Sequence, residues 1–297
     1  MENVFMNVGV LVMMLAGVLG LLYWLQRKQH HDMSAQKRDG LAAVRNGMTL
    51  ITCVQQHRGM SAALLSGDKS FLPRLVTTQD QVANAIRQVA DILGIAAGQG
   101  MAKRRFAQIS QAWLQLQQQV QSLTPEQSFN RHTALIRQIL YLLGDMGERA
   151  GLLEGHLPAQ TQLAEVLLLR LPLLIESVGQ ARALGSASAA KGVCGAVGRI
   201  RLAFLLQRIR NCQTKASIVF EVPALSTPAN RCQEKVDVLQ SIISTRILGS
   251  ERIDLAPEAY FRMATDTIEA CLALWQATAT LIEQGANARL ADGLMPA

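Results

Sequence analysis

Aromatic residues make up only 4% of this 297-residue chain, and cysteine occurs five times. Cys53, Cys194, Cys212, Cys232 and Cys271 are odd in number and far apart, with no CxxC and no Cys/His ligand spacing. That excludes a disulfide framework and leaves buried free thiols in a reducing compartment. Histidine is equally sparse. His30 and His31 are adjacent but sit beside an apolar segment, while His57, His132 and His156 stand alone in sequence, so no metal site is expected. Period-two alternation of β-branched residues is missing, which excludes a sheet. No P-loop, nucleophile elbow or acid–base constellation is present, so no catalytic residue, no cofactor and no enzymatic activity is expected. The 29 Lys and Arg against 22 Asp and Glu leave a net charge of +7. These cations are spread along the chain without interleaved aromatics, which argues against nucleic acid as a partner.

What is abundant is Leu, Ala and Gln at helical spacing, and the chain is expected to be all-α. Its one long apolar run, about residues 4–25, is long enough to cross a bilayer as a helix. Tyr23 and Trp24 close it, and no basic residue precedes it, unlike a cleaved signal peptide. Arg27, Lys28, Lys37, Arg38 and Arg45 follow. The positive-inside rule then predicts a single-pass protein of the bacterial inner membrane with its body in the cytoplasm. Ala16 and Gly20 form a small-xxx-small pair that allows a homodimer through this span.

Three divisions are expected: an anchor and basic flank at 1–32, a helical domain at 33–285 and a tail at 286–297. About eight long antiparallel helices with short connections predict one or two helical bundles. Thr124-Pro125-Glu126-Gln127 is a helix start with a capping box. Pro172 lies inside a fifth helix and predicts a kink or a boundary there. A sixth helix from about 189 to 220 opens with Gly192, Gly195 and Gly198, which favour close helix packing. No preceding strand is present to make them a phosphate loop.

Leu41, Val44, Met48, Ile51, Gln55, Arg58, Ala62 and Leu65 recur at three/four spacing on one seam of a long helix. Arg58 occupies an apolar slot on that seam. Arg182 follows Leu171, Ile175 and Val178 on a second seam, and Arg246 follows Val236, Leu239 and Ile243 on a third. Each inward arginine needs either a carboxylate such as Glu176, Glu148, Glu221 or Asp266, or a bound anion. Arg58 and Arg182 are both followed by small residues (Gly59, Ser61 and Ala62; Ala183, Gly185 and Ser186), which predicts a compact polar pocket beside each.

The run Gln55-Gln56-His57-Arg58-Gly59-Met60-Ser61 resembles the Gln-x-Glu-Arg-Gly-x-Ser motif of the nitrate- and nitrite-sensing (NIT) domain family. Leu171-Pro172, with Gly179-Gln180-Ala181-Arg182 farther on, is similar to its mid-domain Leu-Pro…Gly-Gln-x-Arg signature. The segment from Pro257 to Thr265 is similar to its late Trp-Phe-x-x-x-Thr segment. The resemblance implies an all-helical sensor that binds nitrate or nitrite through arginines between helices and passes a conformational signal onward. Arg58, Arg182 and Arg246, with Gln55 and Ser61, are the expected ligand contacts, and the resemblance favours an anion over a carboxylate. His57 replaces the family's Glu, and Tyr260 its Trp. No output module follows, so the signal is expected to pass to a separate protein. The competing reading is a ligand-free helical scaffold at the inner membrane, its arginines locked in internal salt bridges.

Overall fold

The computed structural model of the protein describes residues 2–96, 101–154 and 158–292. Side chains are described from 14 onward except 15–16, 26, 29–32, 34, 93, 95–96, 101–102 and 286–292. Among these residues there is no strand. Nine α-helices follow in order: α1 (Glu2–Leu65), α2 (Leu72–Ala96), α3 (Met101–Gln119), α4 (Pro125–Arg149), α5 (Pro158–Glu165), α6 (Leu171–Lys191), α7 (Ala196–Lys215), α8 (Ser226–Ile242) and α9 (Pro257–Asp292). The expected capping box is present: Thr124 Oγ1 accepts from the Gln127 N–H and the Gln127 side chain accepts from the Thr124 N–H.

Helices α1 to α4 pack as one group and α6 to α9 as another, joined where α1 meets α9 and α6, and where α4 meets α6. One apolar core runs through both groups, with Val44, Ile51 and Val54 of α1, Ile136 and Ile139 of α4, Ile175 and Val178 of α6, and Ala264 and Cys271 of α9 all buried. Each such Val, Leu or Ile contributes roughly 1.5–3 kcal/mol on leaving water. The α1 seam holds as expected from Leu41 through Arg58, every member being buried.

Of the kink or boundary expected near Pro172, the structure has the boundary. A π-helical stretch, Val166–Arg170, joins α5 to α6, and Pro172 stands in the first turn of α6. Proline has no N–H to return to the carbonyl four residues back, so the wider π turn ahead of it loses nothing.

Two sequence expectations change. The sixth helix does not start at 189: Gly192, at φ +67, ends α6 in a left-handed cap, and Gly195 precedes α7. Those glycines therefore punctuate a turn and do not line a close helix contact. Gly185 leaves no open pocket, because the Tyr260 ring fills its space, 2.3 Å from where a Cβ would stand. The span expected over 4–25 falls in large part outside the described side chains, and among the described residues no helix is long and apolar enough to cross a membrane.

Candidate functional site

Arg58 comes from α1 and meets Glu176 of α6 in a two-pronged contact, Nη1 to Oε1 at 2.7 Å and Nη2 to Oε2 at 3.2 Å. Both side chains are about 3% exposed. Gln55, one turn earlier on α1, donates to Glu176 Oε2 at 2.7 Å, and Gln180, one turn later on α6, donates to Oε1 at 2.8 Å. Four donors thus occupy a carboxylate that has about four lone-pair positions. Arg58 also donates to Thr133 Oγ1 at 3.1 Å and lies over the Phe129 ring. Gly179 lets the two helices meet, since a Cβ there would stand 3.1 Å from Arg58 Nη2. The question left open by the seam is answered: Arg58 faces a carboxylate, and that carboxylate is Glu176.

Arg182, six residues beyond Glu176 on α6, has a different setting. Its Nη1 donates to Thr265 Oγ1 of α9 at 2.9 Å, and its guanidinium lies 4.8 Å from the centre of the Phe261 ring. Among the described residues no carboxylate forms a salt bridge with it, and it is half-buried. Burial first, then repulsion from Arg58, push its pKa down to about 10 against the pull of Glu176. It remains a cation at neutral pH, but an under-compensated one. Arg208 of α7 adds a third guanidinium. Its Nε donates to Ser177 Oγ at 2.8 Å, and its buried Nη2 finds no acceptor among the described residues. Burial lowers its pKa, while Glu176 raises it. Three guanidiniums therefore feel one carboxylate whose acceptor positions are already taken.

Beside Arg58, His57 and His132 form a buried relay. His132 Nδ1 lies 2.7 Å from the Ser128 carbonyl, which only accepts, so that nitrogen carries the proton. His132 Nε2 then accepts from His57 Nδ1 at 2.7 Å, and His57 Nε2 faces the Gln79 amide at 3.4 Å. This one-way chain requires both rings neutral. Burial accordingly lowers the pKa of His57 to about 4. Burial, followed by the fields of His57 and Arg58, lowers that of His132 to about 3 despite the Ser128 carbonyl. Trp113 packs edge-on against His57.

The structure brings together Gln55, Arg58 and Arg182 of the expected ligand contacts. Ser61 turns elsewhere, its Oγ 3.4 Å from His57 Nδ1. Arg246 departs furthest: it is exposed and donates to the Asp254 carbonyl. It sits in the π-helical stretch Ile243–Leu248, whose extra residue per turn carries Ile247 onto the inner face and rotates Arg246 off it. Sequence reasoning did not anticipate Gln180, Thr133, Arg208 or the histidine relay. A signal for the relay was present, since each imidazole lies four residues from a serine, His57 from Ser61 and His132 from Ser128. A cavity of about 570 Å³ between α7, α8 and the start of α6 is lined by Arg210, Gln213, Cys232 and Asp237 and by none of the three clustered arginines.

A family model described as nitrate and nitrite sensing matches residues 49–284. The chain is also similar to the solved structure of the NasR transcription antiterminator, with a TM-score of 0.71 over 92% of this chain and 76% of that one. At 18% identity this second likeness is one of fold. No curated protein matches.

Proposed function

The chain belongs to the nitrate and nitrite sensing family, and we propose that it is a sensor whose Arg182 receives a small planar oxyanion, nitrate or nitrite, where α6 meets α1 and α9. The observation that carries this reading is the charge imbalance: Arg58, Arg182 and Arg208 lie around Glu176, and its oxygens already accept from Arg58, Gln55 and Gln180. A guanidinium offers parallel N–H groups that match a planar oxyanion. Arg182 is half-buried and holds only a hydroxyl and an aromatic face, so it has donors to spare. Binding would relieve the repulsion between Arg182 and Arg58 and draw α9 toward α6 through Thr265. An equilibrium between two helix arrangements shifts only by the difference in affinity for them, and a partner protein reads that shift. The locked-scaffold alternative accounts for Arg58 and leaves Arg182 unexplained.

Calorimetric titration of the full chain with nitrate and with nitrite tests the proposal. One saturable site is expected in the wild type and none in Arg182→Ala. Absence of heat from both anions, or equal binding in the variant, would refute it.

The exposed apolar residues of α1 from Val18 to Leu25 carry a second part of the reading. They serve as a tether to the bacterial inner membrane, with the sensor body on the cytoplasmic side. After alkaline extraction of cell membranes the chain should stay in the pellet, and a Leu21→Asp, Leu22→Asp variant should move to the supernatant. Release of the wild type would overturn the tether.

A further inference from the structure

Cys232 and Cys271 sit on the inner seams of two neighbouring helices. Ala229, Cys232, Val236 and Leu239 recur at three/four spacing on α8, as do Ala264, Ile268, Cys271 and Trp275 on α9, and all are buried. The packing of α8 on α9 brings the two sulfurs to 3.2 Å across 39 residues of sequence. Both are free thiols. A disulfide holds its sulfurs about 2.05 Å apart, so bond formation asks this pair to close by about 1 Å, a step within the reach of side-chain rotation. Among the described residues no other two cysteines are hydrogen-bonded to each other.

The two thiols differ in access. Cys232 lines the cavity of about 570 Å³ between α7, α8 and the start of α6. Exposed residues, Arg210, Thr214 and Asp237 among them, form the mouth of that cavity, while Leu174, Ala229 and Cys232 belong to its buried floor. A molecule of a few heavy atoms can therefore reach Cys232 from solvent. Cys271 is fully buried and does not line the cavity. Its hydrogen bond with Cys232, and then burial, raise its pKa well above the ordinary thiol value, so it keeps its proton.

We propose that Cys232 and Cys271 are a redox-active dithiol, oxidised reversibly to a disulfide by a small hydroperoxide that enters through this cavity. With hydrogen peroxide, Cys232 Sγ attacks one oxygen and the O–O bond breaks. A sulfenic acid forms on Cys232, and water leaves with the thiol proton. Cys271 Sγ then displaces the sulfenic oxygen, which departs as a second water with the Cys271 proton while the S–S bond forms. Two electrons pass in all from the thiols to the peroxide. A thiol reductant returns the pair to its starting state, so the chemistry is compatible with a reducing compartment. The bond would hold α9, which carries Phe261 and Thr265 to Arg182, against α8.

Exposure of the full reduced chain to hydrogen peroxide, followed by denaturation, thiol counting and peptide mass mapping, tests this. Two of the five thiols should be lost, the Cys232 and Cys271 peptides should be joined within one chain, and dithiothreitol should reverse both changes. Closing a loop across 39 residues restricts the unfolded chain, so the melting temperature should rise by about 5 °C or more. In Cys271→Ala, dimedone should capture a sulfenic acid on Cys232. In Cys232→Ala, Cys271 should stay unmodified. No loss of thiols, a link through Cys53, Cys194 or Cys212, a link between chains, or oxidation of Cys271 without Cys232 overturns the inference. So does a link that lowers the melting temperature, since the sulfurs would then have been forced together. The wild-type peptide map decides the matter even if neither variant folds. No anion is titrated in these measurements, so failure here leaves the oxyanion proposal standing, and failure of the titration leaves this one.

Discussion

Arg58 and Arg182 begin from the same local pattern, an arginine on an apolar seam with small residues after it, and end in opposite states. Arg58 is sealed and matched by Glu176. Arg182 is half-buried and held by a hydroxyl and a ring, its charge only partly compensated by Glu176. Their small residues part company as well. Gly59 is exposed, whereas Gly185 receives the Tyr260 ring, whose hydroxyl donates to the Ala181 carbonyl at 2.9 Å. The difference separates two jobs that one motif can serve. A buried, fully paired guanidinium orders the helices, because removing either partner strands a charge. A partly open and under-paired one is free to take a ligand.

Glu176→Gln is the strongest way to break the contrast. It strips the matched site of its only charge partner and leaves three guanidiniums together. A loss of about 3–5 kcal/mol is expected in urea unfolding, the scale for breaking a buried ion pair. A loss under about 1 kcal/mol would mean that Arg58 is as loosely held as Arg182.

Acid provides a milder probe of the Arg58 side. The folded pKa values of His57 and His132 are lowered, to about 4 and about 3. The unfolded chain therefore binds protons that the native chain refuses as pH falls below about 6.5, and stability drops down to about 4 for His57 and about 3 for His132. By pH 5.5 the expected loss is about 1–3 kcal/mol. Replacing both rings in His57→Gln, His132→Gln should flatten that slope. A wild-type curve flat from pH 7 to 5, in a chain whose other groups are matched by the double variant, would argue against neutral imidazoles.

The smallest effect is expected on the other side. Arg182→Ala removes a desolvated cation that repels Arg58, at the cost of its packing on Phe261. Stability without ligand should stay within about 1 kcal/mol of wild type. A loss as large as that of Glu176→Gln would show that Arg182 is structural and erase the distinction.

The all-helical class was legible from the three/four spacing, and the α1 seam was right through Arg58 because an unbroken α-helix keeps its phase over many turns. The same extrapolation failed at Arg246, where a π-helical turn shifts the phase by a residue that no periodicity reveals. Thr124 and Gln127 announced their capping box because its partners are three residues apart. Gly192 and Gly195 were misread because a helix end and a close helix contact ask for the same small residue. Glu176 was in view as a candidate, but nothing local ranks it above Glu148, Glu221 or Asp266.

By itself, then, the sequence determined the helices, their inner faces and the pair of arginines that have no apolar reason to face inward. These are properties of spacing within one segment. The tertiary structure decided which arginine is neutralised. Glu176 lies 118 residues from Arg58 in sequence, and Thr265 lies 83 from Arg182. Charge compensation depends on the distance between side chains brought together by packing, and that distance is not written in any one helix.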